Sequence, residues 1–211
     1  MEQKSYWNAV ANDKEFTTPF QFDLFAHYVK NDAEILDIGC GYGRTLEELH
    51  HRGYCNTIGI DFSEAMIARG RNLHPHLDLR AQTSKDLGFP DESFAAVILC
   101  AVLTCIVTDT DQTALLTRIK RVLKPGGVIY INDFLLNTDE RNLERYGKFE
   151  KKYGTYGVFE LAEGAVLRHH DMRRVEECVR PFETIRLERM VYRTMNGHES
   201  NGYCYLGRKQ G

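Results

Sequence analysis

The chemistry-bearing residues of this chain gather around two carboxylates and a glycine-rich turn. Asp37 lies in the run Ile35-Leu36-Asp37-Ile38, two residues before Gly39-Cys40-Gly41-Tyr42-Gly43. Glycine lacks a Cβ and tolerates positive φ, so a turn of this kind lets the backbone approach a ligand closely. Arg44 stands where the dinucleotide pattern G-x-G-x-x-G requires its third glycine, which argues against a nicotinamide cofactor. A carboxylate beside the turn also suits a cation better than a pyrophosphate, because like charges a few ångströms apart repel strongly in low dielectric. The second acid, Asp61, closes Gly59-Ile60-Asp61 eighteen residues past Gly43, a separation at which a carboxylate can accept hydrogen bonds from ribose hydroxyls. Phe62 follows it and could pack on an adenine face or simply in the core. Ser63 is suited to cap a helix.

The elements that must position these residues alternate between short β-rich runs and amphipathic segments, the pattern of a parallel sheet with crossover helices. The periodicity predicts strands at Glu34 to Ile38, Asn56 to Asp61, Leu77 to Gln82, Phe94 to Cys100 and Val128 to Asp133, with helices at Thr45 to Arg52, Ser63 to Asn72 and Thr110 to Leu123. The last helix shows Leu115, Ile119, Val122 and Leu123 on one stripe and stops at Lys124-Pro125-Gly126-Gly127. Ahead of this core, Phe20 to Tyr28 reads as an amphipathic helix, with Tyr6-Trp7 as a separate aromatic pair. After it come a charged helix within Thr138 to Tyr153, a hairpin of Gly157 to Glu160 with Ala165 to His169, a helix from Asp171 to Val179, and closing strands at Phe182 to Tyr192 and Gly202 to Gly207. The expected architecture is α/β, Rossmann-like and doubly wound, a mostly parallel seven-stranded sheet with an antiparallel closing strand. It forms a single domain over 1–211, with an N-terminal helical cap (1–33), a ligand-binding core (34–134) and a substrate-side region (135–211).

Composition narrows the function classes. The chain has 211 residues with Lys+Arg 27 against Asp+Glu 30, a formal charge of −3, so it lacks the basic surplus that duplex binding calls for and nucleic acid is not an expected partner. The apolar stretch from Ala95 to Val107 is too short to span a bilayer and the N-terminus has no apolar signal core, which predicts a cytoplasmic protein without a membrane partner. The six cysteines form no C-x-x-C pair, and the histidines His50-His51, His74, His76 and His169-His170 show no zinc spacing, so reduced thiols and no metal are expected. Arg69, Lys85, Arg173 and Glu150-Lys151-Lys152 read as solvated faces.

Four segments together resemble the successive motifs of class I S-adenosylmethionine-dependent methyltransferases. They are Asp37-Ile38-Gly39-Cys40-Gly41-Tyr42-Gly43, Gly59-Ile60-Asp61-Phe62-Ser63, Asp86-Leu87-Gly88-Phe89-Pro90-Asp91-Glu92-Ser93-Phe94 and Arg121-Val122-Leu123-Lys124-Pro125-Gly126-Gly127, in the family's order. The resemblance implies that S-adenosylmethionine is the cofactor. Asp37 would contact its amino-acid moiety, Gly39, Cys40 and Gly41 would offer close backbone approach, Asp61 would hold the ribose, and Phe62 would flank the adenine. Where many relatives carry Gly-Asp after the third strand, this chain has Gln82-Thr83-Ser84, so Thr83 and Ser84 become the candidates near the adenine; Cys100 ends the fourth strand, where the family's backbone faces the cofactor's amino group.

Methyl transfer is an in-line displacement in which alignment, about 7 to 11 kcal/mol, outweighs a general base at roughly 3 to 5 kcal/mol. After the fourth strand this chain reads Val102-Leu103-Thr104-Cys105, without the histidine that many relatives carry there, and it lacks the Asn/Asp-Pro-Pro-Tyr/Phe signature. That fits a small-molecule acceptor that is already nucleophilic, such as a thiol, selenol, carboxylate or deprotonated amine. His169 and His170 are candidates for a catalytic or orienting role, with satisfied or solvent-facing histidines as the alternative. Tyr6, Trp7, Tyr153 and Tyr156 could line an aromatic, substrate-binding lid or serve ordinary packing. A non-catalytic cofactor-binding protein and a nicotinamide oxidoreductase stand as alternative functions.

Overall fold

The computed structural model describes residues 3–83, 87–195 and 197–211. Five adjacent strands of one sheet run parallel: β1 (Ile35–Ile38), β2 (Thr57–Asp61), β3 (Asp78–Ala81), β4 (Phe94–Cys100) and β5 (Leu123–Phe134). The chain order along the sheet continues through β9 (Glu199–Arg208) to β8 (Glu183–Arg193) at the edge, giving β3-β2-β1-β4-β5-β9-β8. Because β9 is antiparallel to both neighbours, β8 again points the same way as β5, and β9 alone reverses the sheet. The strand order reverses at β1, where the crossover to β4 begins; ligands of open α/β sheets bind beyond the carboxyl ends of strands at such a point.

Both faces of the sheet are covered, which is why β1 and β4 read as near-continuous apolar runs. On one face Leu36, Ile38, Val97, Leu99, Ile129 and Ile131 pack with Leu115 and Ile119 of α5 (Asp109–Val122) and Val175 of α7 (Met172–Val179). On the other, Ile35, Ala96, Ile98 and Tyr130 meet Phe25 of α2 (Phe22–Tyr28), Leu46 and Leu49 of α3 (Arg44–His50) and Ile67 of α4 (Glu64–Leu73). Asp37 is the polar interruption of β1, 1% exposed at the ligand-facing end of the strand.

Two segments flank that end. The N-terminus forms a two-turn helix, α1 (Gln3–Ala9), where the sequence offered only an aromatic pair. Asn8 Oδ1 docks it on α4 by accepting from Ser63 Oγ at 2.7 Å and from the Ala65 N–H at 3.3 Å. Arg69, expected on a solvated face, instead straps this segment down: it donates to the carbonyls of Ala11 (2.9 Å) and Lys14 (2.7 Å) and lies over the Tyr42 ring. On the other side, α6 (Glu140–Tyr153) and the two-stranded sheet of β6 (Val158–Glu160) and β7 (Val166–Arg168) form the expected charged helix and hairpin.

A candidate cofactor and acceptor cavity

The glycine turn is wound by left-handed residues, with Gly39, Gly41 and Gly43 at φ +72°, +57° and +87°. A Cβ on Gly39 would sit 2.6 Å from Val102, so the turn and the end of β4 close on each other only without one. Gly41 is differently used: the Phe16 ring occupies the space over it, and its N–H donates to Asp61 Oδ2 at 3.0 Å. Phe16 in turn stacks on Tyr42 at 5.0 Å. The second carboxylate oxygen of Asp61 accepts from the Ser63 N–H at 2.8 Å. Burial nonetheless raises the Asp61 carboxyl above its usual range, against the pull of those two amides.

One cavity opens at the carboxyl ends of β1, β2 and β4, and Asp37, Gly39, Cys40, Asp61, Phe62 and Cys100 line it. Neither carboxylate oxygen of Asp37 has a hydrogen-bond partner. Burial pushes its carboxyl up to about 8; Arg44 pulls it down and Asp61 pushes it further up. Arg44 also lines the cavity: its Nη2 donates to the Thr18 carbonyl at 2.6 Å, while its buried Nε has no partner. The sequence had marked Arg44 only as a break in a glycine pattern. An acid and a guanidinium edge, both buried and unsatisfied in one cavity, are complementary to a zwitterion, and leaving such groups unpaired is costly. The N-terminal segment contributes Trp7, Phe16, Thr17 and Thr18 to the same wall.

Several candidates lie elsewhere. Gly41 and Thr83 do not line the cavity, and Thr83 is exposed beyond β3. Ser84, the remaining adenine-side candidate, and Asp86 and Lys85 fall outside the described residues. Tyr6 is 1% exposed and packs edge-on against Trp7, whose ring alone of the pair reaches the cavity, because neighbours on a helix point about 100° apart. Tyr153 donates to Glu160 Oε1 at 2.7 Å, and Tyr156 is 43% exposed, so neither is part of an aromatic lid over the cavity. His170 is buried but structural: its Nε2 lies 2.7 Å from the Gln112 amide nitrogen, which can only donate, and burial lowers it to about 4.

His169 does reach the cavity, where it stacks on Phe134 at 5.6 Å. Its Nδ1 lies 2.6 Å from the Tyr146 hydroxyl and 3.2 Å from Asn137 Nδ2. Burial, with Arg145 close by, holds it well below the usual histidine range, so the ring is neutral near pH 7. Cys100 and Cys105, both on the wall, are raised above the ordinary thiol range by burial, which disfavours a thiolate there. The described residues contain no cluster of three or more groups able to hold a metal; the histidines of the β2–β3 side share Glu47 instead, with His76 Nε2 2.7 Å and His51 Nε2 3.0 Å from its oxygens. No described helix is long and apolar enough to cross a membrane.

A doubly wound sheet with acids at the tips of β1 and β2 beside a glycine turn defines a nucleoside-binding α/β protein. Residues 35–127 match the family described as "Methyltransferase domain". Phosphatidylethanolamine N-methyltransferase of Cereibacter sphaeroides is 33% identical over 148 residues, spanning 64% of this chain and 69% of that one. The eEF1A lysine and N-terminal methyltransferase of Mus musculus is 32% identical over 115 residues; the match takes in 50% of this chain but only 16% of that much longer protein. A solved S-adenosylmethionine-dependent methyltransferase from Methanosarcina mazei superposes with a TM-score of 0.84 at 23% identity, covering 89% of this chain and 97% of the other. The chain belongs to the class I S-adenosylmethionine-dependent methyltransferases, which sets aside the nicotinamide alternative. The residues present fit that cofactor: the unpartnered oxygens of Asp37 face a cavity that also holds Asp61 and Phe62.

Proposed function

We propose that this chain transfers a methyl group from S-adenosylmethionine to a small-molecule acceptor, a thiol, amine or carboxylate, within this cavity. The observation that carries the reading is the unpartnered Asp37 carboxylate in one cavity with Arg44, whose buried Nε also has no partner, one to take the ammonium and the other the carboxylate of the cofactor's amino-acid tail. Asp61 would receive the ribose hydroxyls on lone pairs left free by its two amide contacts, and Phe62 would flank the adenine. The bound cofactor supplies an electrophilic methyl on a sulfonium. The chain's contribution is alignment and exclusion of water: Trp7 and Phe16 cover one side, while Phe134, Phe159, Leu161 and Leu167 wall the other. Among the cavity residues Cys100 and Cys105 are held as thiols and the lowered His169 is a weak base, which suits an acceptor whose nucleophilic atom is already unprotonated. The curated relatives are named for lipid and protein acceptors; a walled cavity favours a compact molecule here. The free cysteines suit a reducing compartment, in keeping with a cytoplasmic role.

The test is product detection by mass spectrometry, using S-adenosylmethionine with a panel of thiols, amines, carboxylates and alcohols, beside a thermal shift with S-adenosylhomocysteine. A ligand-dependent rise in melting temperature with a methylated product is expected. A rise with no product across the panel would instead favour a non-catalytic cofactor-binding protein, and no rise at millimolar ligand would overturn the cofactor assignment.

A further inference from the structure

Charge is segregated along the cavity. Its only acids among the described residues are Asp37 and Asp61, at the tips of β1 and β2, whereas the part built by the C-terminal third contains no acid and two arginines. Both arginines come from α6, where Arg141 and Arg145 stand one turn apart and therefore on one face. Arg141 has a distant partner, Asp139, at 3.8 Å, and is 44% exposed. No ion pair to Arg145 is found among the described residues; its favourable partners are the Tyr146 side chain and, through the field alone, Asp139. Its guanidinium lies 3.5 Å from the Phe159 ring centroid, and its buried Nε has no hydrogen-bond partner. A guanidinium stacked on an aromatic face can still turn unpaired N–H groups, here including Nε, to a planar anion.

His169 adds a donor to the same wall. The Asn137 amide is oriented by its Oδ1, which accepts from the Asn201 N–H at 2.8 Å, so the nitrogen that approaches His169 Nδ1 at 3.2 Å can only donate. That contact, with the Tyr146 hydroxyl at 2.6 Å, suits Nδ1 as the acceptor, a tautomer that would put the proton on Nε2. The wall around these donors is apolar: Phe134, Phe159, Leu161 and Leu167.

We infer that this end of the cavity binds an oxyanion, the carboxylate or phosphate of a compact and otherwise apolar acceptor, with Arg145 as its principal partner and Arg141 and the His169 Nε2–H as flanking donors. The inference rests on the reading that the cofactor fills the end marked by Asp37 and Asp61. The anion serves to anchor and orient the acceptor, so Arg145 is a binding residue and takes no part in bond making.

Benzoate, phenylphosphonate and the neutral isostere benzamide distinguish the possibilities. Each is titrated calorimetrically into the full-length protein with and without saturating S-adenosylhomocysteine. We expect benzoate or phenylphosphonate to bind and benzamide to bind at least about tenfold more weakly; whichever anion binds names the source, carboxylate or phosphate. Arg145→Gln should weaken the anion by about tenfold or more while changing S-adenosylhomocysteine affinity less than about twofold, and Arg145→Lys should restore part of the loss. Should Arg145→Gln fail to fold, Arg141→Gln, at an exposed position, reads the same field with a smaller loss. Equal binding of benzamide and benzoate, absence of anion binding to the wild type, or an Arg145→Gln variant that binds the anion unchanged would overturn the inference. Failure of S-adenosylhomocysteine to bind would overturn the cofactor reading alone, because the titrations without it still report on the anion end.

Discussion

Asp37 should make cofactor affinity depend on pH in the neutral range, well above the window in which an ordinary exposed carboxylate titrates. In the ligand-free cavity its carboxyl is pushed up to about 8 by burial, so at neutral pH it holds a proton. An ammonium prefers the ionised form, and binding must therefore expel that proton. Affinity for S-adenosylhomocysteine should rise about tenfold per pH unit from 6 towards 8, and at pH 6 it should be on the order of a hundredfold below its plateau. Asp37→Asn removes the titration, so the ratio of wild-type to variant affinity isolates it from the ligand's own ionisation. The free protein carries the same signature with the opposite outcome. A folded value of about 8 against an ordinary 3.8 means that the native state keeps a proton the unfolded chain has released. This contribution to stability is present below pH 4 and is lost as pH rises from 4 through 8, by up to about 6 kcal/mol before relaxation or entry of water relieves it. Asp37→Asn should then melt above the wild type at pH 9 and lose most of the ligand-induced upshift. Calorimetry in two buffers of different ionisation enthalpy should find close to one proton released per cofactor bound at pH 7. Parallel affinity profiles for wild type and Asp37→Asn between pH 6 and 8 would refute the reasoning.

Arg44→Met removes the cation opposite Asp37 and should weaken S-adenosylhomocysteine by roughly 10- to 100-fold, the worth of one charge-assisted hydrogen bond, measured by calorimetry at pH 8. Gly39→Ala places a Cβ 2.6 Å from Val102 at φ +72°, so it should cost about 1 to 3 kcal/mol, seen as a melting temperature lower by several degrees. Arg69→Met should loosen the N-terminal segment and raise its amide exchange and its proteolysis before Lys14, while the exchange of β1 and β4 stays slow. His169→Gln keeps a side-chain donor, so the pH–rate profile should retain its shape and KM should rise more than kcat falls; loss of an acid limb below the usual histidine range would identify His169 as a base after all.

The core strands and their helices were legible because each buried element carries its own period. Phe94–Cys100 emerged with the expected bounds and most others differ by one to three residues at their ends, whereas β5 begins at Leu123, five residues before the expected Val128. The helix α1 escaped because Gln3–Ala9 is too short for a convincing stripe and is held by Asn8 and Arg69, contacts made to residues more than fifty positions away. Tyr153 and Tyr156 were indistinguishable from Trp7 as aromatic residues in flanking segments, and only the packing of α6 and β6 turns them from the cavity.

By itself the sequence determined the strand-turn-helix units, the acids at the tips of β1 and β2, and the kinship with a cofactor class, since all of these lie in local patterns where spacing dictates geometry. Tertiary structure alone decided the charges that complete the site. It placed Arg44 in the field of Asp37, set Arg141 and Arg145 against an acid-free wall, tied His170 into the core, and brought His169 Nδ1 against Asn137 and Tyr146. The physical reason is that the strength of a charge or the site of a proton depends on burial and on through-space partners, and neither quantity is encoded in the spacing of residues along a chain.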